Sequence, residues 1–404
     1  MSDPTIHPTS ARKHSMRQRW LPSVRFLTPA PLMMTFLAGV LAAPSLSVAH
    51  EGPHAGGTYK HESHKHDGPH SHQDGDEVVA TVVVSGQGNA KFTWDQELTA
   101  AFPEAARPFE PGMHGGFNED ADTGIIYTGI PGYGLCSISP DLKTWTKLGD
   151  DDRLKDNVHG IVVFQHGGKK LIALAQEGAQ RVLITDLKGQ IVQAIERPKG
   201  TEFQFQEAND YYATENPRFN VTDITYLDGR LYAVTGYSPG DFVLALQMVD
   251  DQWQWGPIAW GGKGDKPGQF RTAHGISAYD DHLFVANREA HQVVKFTKDG
   301  KFVETFAGIP KNSRICNVTR FEDTFVLCPL APVTDDQKSA PIYAYADGEV
   351  ISTIIPADLG VPVIRHNHHV WPHYVTDEAG NKQLYLLVHG WNQGKYVVLK
   401  HETP

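Results

Sequence analysis

Short apolar runs separated by turn residues fill the chain from about residue 77 onward. The run at 171–174 is one example; it lies between the glycines at 167–168 and Gly178. Runs of this length bounded by Gly, Asp or Asn indicate β-strands, and no sustained helical period is present. The pattern therefore predicts an all-β domain.

One unit of three or four strands recurs along this domain, and each copy opens with a polar residue. The six copies open at His114, His159, Thr222-Asp223, His274, Cys316-Asn317 and His373. Repeats of roughly 40 to 60 residues are typical of β-propeller blades, because each blade buries its faces only against its neighbours. We expect a six-bladed β-propeller over residues 77–404, closed by a strand at 78–84 that joins the last blade. A β-sandwich is the alternative, but it does not account for the repeat.

The N-terminal region predicts export. Basic residues precede the apolar run 32–43, and Ser47-Val48-Ala49 follows as a small-x-small cleavage pattern. We therefore interpret residues 1–49 as a signal peptide, with Met16 as a second possible start. The apolar run is shorter than the roughly 20 residues of a membrane span, so no span is expected after cleavage and the predicted location is periplasmic or secreted.

Residues 50–76 form a polar arm that contains almost no apolar residue. Histidines recur along it, at His50, His54, His61, His64, His66, His70 and His72. Such a composition cannot form a core, and His-rich tracts are typical of metal capture. We expect a disordered arm that binds Zn²⁺ or Cu²⁺; a solvated linker is the alternative.

Charge and cysteine content exclude two classes of protein. The formal charge is −11, and no stretch rich in Lys and Arg alternates with aromatic residues, so a nucleic-acid partner is not expected. The three cysteines are too few for a disulfide scaffold. Cys316 and Cys328 flank a predicted hairpin and could form one bridge, a question that the sequence leaves open.

The residues that open the blades carry the candidate chemistry, because the first strand of each propeller blade faces the central channel. Three imidazoles around an open position suit a catalytic Zn²⁺. We predict His159, His274 and His373 as the ligands, since they open alternate blades. His114, Asp223 and Asn317 are further channel candidates. In the last blade His366, His368 or His369 could replace His373 or form a second site at the channel mouth.

The copy at 261–296 resembles an NHL repeat. Over residues 111–404 the chain also resembles the peptidyl-α-hydroxyglycine α-amidating lyases. The shared motifs are Val158-His159-Gly160, Ala273-His274-Gly275, Pro372-His373-Tyr374, Gly236-Tyr237 and Asn287-Arg288-Glu289. The resemblance implies zinc held by the three histidines, Tyr237 as general base and Arg288 as the residue that binds a carboxylate or polarises a carbonyl, with cleavage of a C–N bond in a small-molecule or peptide substrate.

The chain also departs from that family. The family's early catalytic Arg has no counterpart in 111–115, and the Asp expected beside the last zinc histidine, which helps to hold a structural Ca²⁺, is replaced by Tyr374. Calcium is therefore not expected. The predicted function is a metal-dependent lyase that cleaves a C–N bond of an α-hydroxylated amide. A non-catalytic zinc or copper carrier and a propeller that binds a protein partner are the alternatives.

Overall fold

The structure is a computed structural model that describes residues 83–362 and 364–402. The predicted signal peptide and the His-rich arm lie outside the described residues. Six antiparallel sheets, five of four strands and one of five, form a six-bladed β-propeller, so the predicted fold is confirmed.

Blades one to three follow each other along the chain, and within each blade neighbouring strands pair in sequence order. Blade one contains β3 (Phe117–Asp120), β4 (Ile125–Ile130), β5 (Gly134–Ile138) and β6 (Trp145–Leu148). Blade two contains β7 (Gly160–His166), β8 (Lys169–Gln176), β9 (Arg181–Asp186) and β10 (Ile191–Glu196). Blade three contains β11 (Asp223–Leu227), β12 (Arg230–Val234), β13 (Phe242–Val249) and β14 (Gln252–Gly261).

Blades four to six continue the same order. Blade four contains β15 (Ala273–Tyr279), β16 (His282–Asn287), β17 (Gln292–Thr297) and β18 (Phe302–Thr305). Blade five contains β19 (Ile315–Phe321), β20 (Thr324–Pro329), β21 (Ile342–Ala346) and β22 (Glu349–Ile354). Blade six contains β23 (His366–Thr376), β24 (Lys382–Trp391) and β25 (Lys395–His401), together with two strands from the start of the described chain.

Those two strands close the ring, as the sequence predicts, but the predicted residues are wrong. β2 (Ala90–Trp94) pairs with β25, and β1 (Ser85–Gln87) pairs with β2. Of the predicted strand 78–84 only Val83 and Val84 are described; neither is in a strand, and both are exposed. β2 is the better closing strand because Ala90 and Phe92 are buried in the core between blades five and six while Lys91 between them faces solvent.

Short helices interrupt the predicted all-β chain. In the described part of the chain they are α1 (Gln96–Ala100), α2 (Gln206–Tyr212) and four 3-10 helices at Glu104–Gly112, Asp152–Lys155, Arg288–Ala290 and Pro356–Leu359. Asp95 caps α1 through its side chain, which accepts a hydrogen bond from Leu98 N at 2.9 Å. Among the described residues, no helix is long and apolar enough to cross a membrane.

The hydrophobic core lies between neighbouring blades. Between blades two and three, for example, Ala173 and Ile184 pack against Ala233 and Leu244. Both faces of these middle strands are covered, which explains why the sequence shows continuous apolar runs there rather than alternation.

The inner strands β3, β7, β11, β15, β19 and β23 line the central channel, and each contacts the next around the ring. Two glycines permit this close approach. A Cβ on Gly160 would lie 2.5 Å from the Cα of Asp223 in the next blade, and a Cβ on Gly275 would lie 2.5 Å from the carbonyl oxygen of Cys316. Since real Cβ atoms do not approach so closely, the residue that follows His159 or His274 must be glycine.

Candidate metal centre

In blades four, five and six a β-bulge near the start of the inner strand directs one side chain toward the channel. The bulged residue is His274 in blade four, Cys316 in blade five and His368 in blade six. His159 and Thr222 are the equivalent residues in blades two and three. Each donates its backbone N–H to the carbonyl of the residue on the second strand that pairs with the next residue of the inner strand. Bulges leave one residue outside the regular pairing and re-aim its side chain. Every second blade therefore presents an imidazole.

Three histidines come together at this level of the channel. One nitrogen each of His114, His159 and His368 lies within 4.8 Å of the others. The ring centroids are 4.5 Å apart for His114 and His159, 4.3 Å for His114 and His368, and 4.6 Å for His159 and His368. These three residues are called the three-histidine group below. Side chains in this arrangement could hold a metal ion.

His274 lies against the same group. Its ring centroid is 4.8 Å from that of His159 and 4.9 Å from that of His368, close to the spacing within the group itself. Besides lying next to each other, His159 and His368 thus both have His114 and His274 as neighbours.

Backbone carbonyls of the next blade fix two of the imidazoles. His159 Nδ1 bonds the carbonyl of Thr222, and His274 Nδ1 bonds the carbonyl of Cys316 at 2.8 Å. A carbonyl oxygen can only accept, so each Nδ1 carries the proton and each Nε2 keeps a lone pair. Metal-binding histidines are commonly oriented in this way.

The group contains buried nitrogens without hydrogen-bond partners. His159 and His368 are each only 3% exposed, and neither Nε2 of His159 nor either ring nitrogen of His368 has a partner among the described residues. Leaving a buried polar atom unsatisfied costs about 1–3 kcal/mol, and a metal ion would satisfy such nitrogens. The donor set therefore fits a transition-metal ion.

His114 enters the channel from the loop before β3. Its ring stacks on Trp391 with centroids 5.4 Å apart, and its Nδ1 lies 3.3 Å from the amide nitrogen of Asn157. The amide oxygen of Asn157 is buried and has no partner in the described part of the chain. If the amide is turned over, its oxygen accepts the Nδ1 proton and the Nε2 lone pair of His114 is free to bind metal.

Burial keeps these imidazoles neutral. It lowers the pKa of His114 to about 4 and places the pKa values of His159, His274 and His368 well below the usual range. The nearby Arg288 guanidinium lowers the pKa of His274 further. Neutral imidazole is the form that binds metal, so the ligands need lose no proton at neutral pH.

Tyr237 and Arg288 lie beside this cluster. The Tyr237 hydroxyl is 3.0 Å from His274 Nε2, and Arg288 Nη1 donates to the same hydroxyl at 2.8 Å. Arg288 Nε also bonds Glu289 Oε1 at 2.9 Å, and Arg314 donates to that carboxylate at 2.6 Å. Burial raises the pKa of Tyr237, which is consequently a protonated hydroxyl at neutral pH.

The structure does not bring His373 to this cluster. Its Nδ1 bonds Glu119 Oε2 and its Nε2 bonds the carbonyl of Pro140, both at 2.8 Å, so neither nitrogen is free. β23 begins at His366, and His373 lies near its far end. His368, one of the alternatives for this blade, occupies the bulge position instead.

Three other predicted channel residues line a different level. Asp223, Asn317 and His369 border a cavity of about 160 Å³ that all six inner strands enclose. Asp223 accepts hydrogen bonds from Ile224 N at 2.9 Å and Ile276 N at 2.8 Å, and burial raises its pKa to about 7. The bond from Ile276 joins blade three to blade four, which gives Asp223 a structural role.

His389 was not among the residues predicted from the sequence. Its Nδ1 bonds the carbonyl of Gly115 at 2.7 Å, and its ring lies 3.9 Å from that of Phe117. It is in β24, the second strand of its blade, so a search restricted to residues that open blades could not find it. Cys316 and Cys328 are buried and free in this structure, with no disulfide between them.

Searches against models of known protein families and against curated proteins find no match for this chain. The resemblance to NHL repeats and to the amidating lyases consequently rests on the short motifs alone.

Proposed function

We propose that this protein holds a divalent transition-metal ion, Zn²⁺ in the first place, in its propeller channel and passes it to a partner. Imidazoles bind Zn²⁺ well, and a site built from them alone needs no further group to hold the ion. When bound, the metal ion would accept the lone pairs of the buried nitrogens of His159 and His368.

The observation that supports this proposal is the combination of near-complete burial with unsatisfied nitrogens at His159 and His368. A lone buried histidine commonly bonds neighbouring backbone, and His159, His274 and His389 all do so through their Nδ1 atoms. What distinguishes His159 and His368 is that their free nitrogens lie close to each other and to a nitrogen of His114. Three imidazoles that converge with free nitrogens are not explained by backbone bonding.

The sequence of the N-terminal region agrees with a carrier. Residues 1–49 have the pattern of a signal peptide, and the His-rich arm at 50–76 offers exchangeable ligands. We propose that the protein works outside the cytoplasm and that the arm captures Zn²⁺ or Cu²⁺ before the channel takes it.

A metal-dependent lyase is the second candidate, favoured by the position of Tyr237 and Arg288 next to His274. Two observations weigh against a lyase. Burial raises the pKa of Tyr237, whereas a general base works best with a pKa near the operating pH. Arg288 is already engaged by Tyr237 and Glu289, so it has fewer donors left for a substrate carboxylate.

The two functions can be separated by incubating the zinc-loaded full chain with an α-hydroxyglycine peptide and measuring glyoxylate. We expect no turnover, while elemental analysis finds zinc retained after extensive dialysis. Glyoxylate production that is lost in Tyr237→Phe and kept in Tyr345→Phe would overturn the carrier role in favour of the lyase. Tyr345 is a suitable control because its hydroxyl bonds only the carbonyl of Ala307, at 2.9 Å.

A further inference from the structure

The hydrogen bond between Tyr237 and His274 occupies a nitrogen that the metal site could use. His274 Nδ1 donates to the Cys316 carbonyl, so the Nε2 lone pair accepts the Tyr237 proton at 3.0 Å. As long as this bond is present, His274 cannot bind a metal ion.

We propose that His274 is an exchangeable fourth ligand of the three-histidine group and that the Tyr237–Arg288 pair is a latch that competes with the metal for it. The inference rests on the proposed metal-holding function and deepens it, because it names the residues that control release.

The His274 ring lies next to two members of the three-histidine group, although its nitrogens are not among those that lie within 4.8 Å of one another. Its ring centroid lies 4.8–4.9 Å from those of His159 and His368, while centroids within the three-histidine group are 4.3–4.6 Å apart. Zn²⁺ commonly takes four ligands in a closed site, and the three-histidine group supplies three. A small shift of the His274 ring away from Tyr237 would complete the set.

Arg288 strengthens the latch in two ways. It donates to the Tyr237 oxygen at 2.8 Å and thereby makes the hydroxyl a better donor to His274. Its guanidinium carbon also lies 5.2 Å from the centre of the Tyr237 ring, so a permanent positive charge stands close to the site. That charge repels a bound cation. Both effects favour release of the metal.

Other parts of the structure keep Arg288 in place. Glu289 Oε1 accepts from Arg288 Nε and from Arg314 Nη2, and both arginines are consequently tied to one carboxylate. Arg288 N also donates to the Thr272 carbonyl at 2.8 Å, two residues before His274. Arg288 is therefore on the same blade as His274, whereas Tyr237 follows β12 and comes from blade three.

The test measures zinc transfer from the loaded full chain to a chromophoric chelator in a stopped-flow instrument. Removing the competing hydrogen bond should stabilise the bound state, so Tyr237→Phe is expected to release its channel zinc about five- to tenfold more slowly than the parent. His274→Ala should keep one zinc in the channel but release it faster. Tyr345→Phe is the matched control and should behave as the parent does.

Failure of this inference differs from failure of the proposed function. If the parent binds zinc in the channel but Tyr237→Phe releases it at the parent's rate, the latch is wrong and the holding function stands. If zinc equivalents of the parent equal those of His159→Ala, no channel zinc exists and the holding function itself is wrong. Arg288→Gln provides a second variant, and it too should slow release if the latch operates.

Discussion

At the scale of single residues, the protonation of the channel histidines follows from their surroundings. His159 and His274 each donate a hydrogen bond from Nδ1–H to a carbonyl of the following blade. In a neutral imidazole Nε2 then carries no proton. Burial disfavours the charged imidazolium form of both side chains. Residue types alone could not reveal this, because an exposed histidine and a buried one look the same in a sequence.

The pKa directions predict how the metal-free protein responds to acid. Six buried histidines have lowered pKa values, to about 4 for His114 and His389 and to about 3 for His369, with His159, His274 and His368 well below the usual range. The unfolded chain binds protons near pH 6.5 and the folded chain does not, so the free energy of unfolding should fall between about pH 6.5 and 4.

His114 alone would contribute roughly 3 kcal/mol to this loss. Asp223 and Asp241 act in the opposite direction, because burial raises both pKa values to about 7 and their contribution diminishes as pH rises to that value. Since the histidines outnumber them, we expect urea unfolding of the metal-free protein to show lower stability at pH 4.5 than at pH 7. Equal or greater stability at pH 4.5 would contradict these assignments.

At the scale of the structural element, the bulge explains which histidines reach the channel. His159, His274 and His368 are each followed by a residue and then by Ile or Val, in the patterns His-Gly-Ile, His-Gly-Ile and His-His-Val. Thr222-Asp223-Ile224 and Cys316-Asn317-Val318 fit the same frame. In the last blade both His368-His369-Val370 and His373-Tyr374-Val375 fit this frame, so the pattern alone does not choose between the two histidines.

The sequence could not settle that choice, because β23 is 11 residues long and both histidines lie within it. Propeller periodicity predicts that a strand exists more reliably than it predicts where the strand begins. Asp223 and Asn317 do line the channel, but at the other level. The residue that corresponds to His274 is the one before, Thr222 in blade three and Cys316 in blade five.

The close approach of blades four and five gives a prediction about Gly275. Its substitution by alanine would place a Cβ 2.5 Å from the Cys316 carbonyl, the acceptor that orients His274. We expect Gly275→Ala to lower the free energy of unfolding by about 1–3 kcal/mol, as measured by urea denaturation. Gly178→Ala is the control, since no atom lies within 4 Å of the added carbon there. Equal effects of the two substitutions would contradict the packing argument.

At the scale of the whole molecule, six copies of one strand pattern were enough to predict six blades and their closure. The sequence showed that an N-terminal strand must complete the last sheet, since an open ring would expose strand edges. It did not show that β1 and β2 lie downstream of the valine-rich segment. Apolar content alone favoured 78–84, but the alternation at 90–94 matches the half-buried outer strand that the blade needs.

Convergence of ligands from separate blades is also a property of the whole ring. His114, His159 and His368 are far apart in the sequence and meet only because the inner strands surround one axis. Binding a metal there would connect blades two and six with the loop before blade one.

The most direct test of this account is the zinc content of the full chain and of two variants in the last blade, measured by elemental analysis after dialysis. His368→Ala should lose one zinc equivalent relative to the parent, and His373→Ala should lose none, because both His373 nitrogens are bonded to protein. Thermal melts would establish that both variants are folded. Loss of zinc from a folded His373→Ala variant together with retention by His368→Ala would contradict the proposed metal centre.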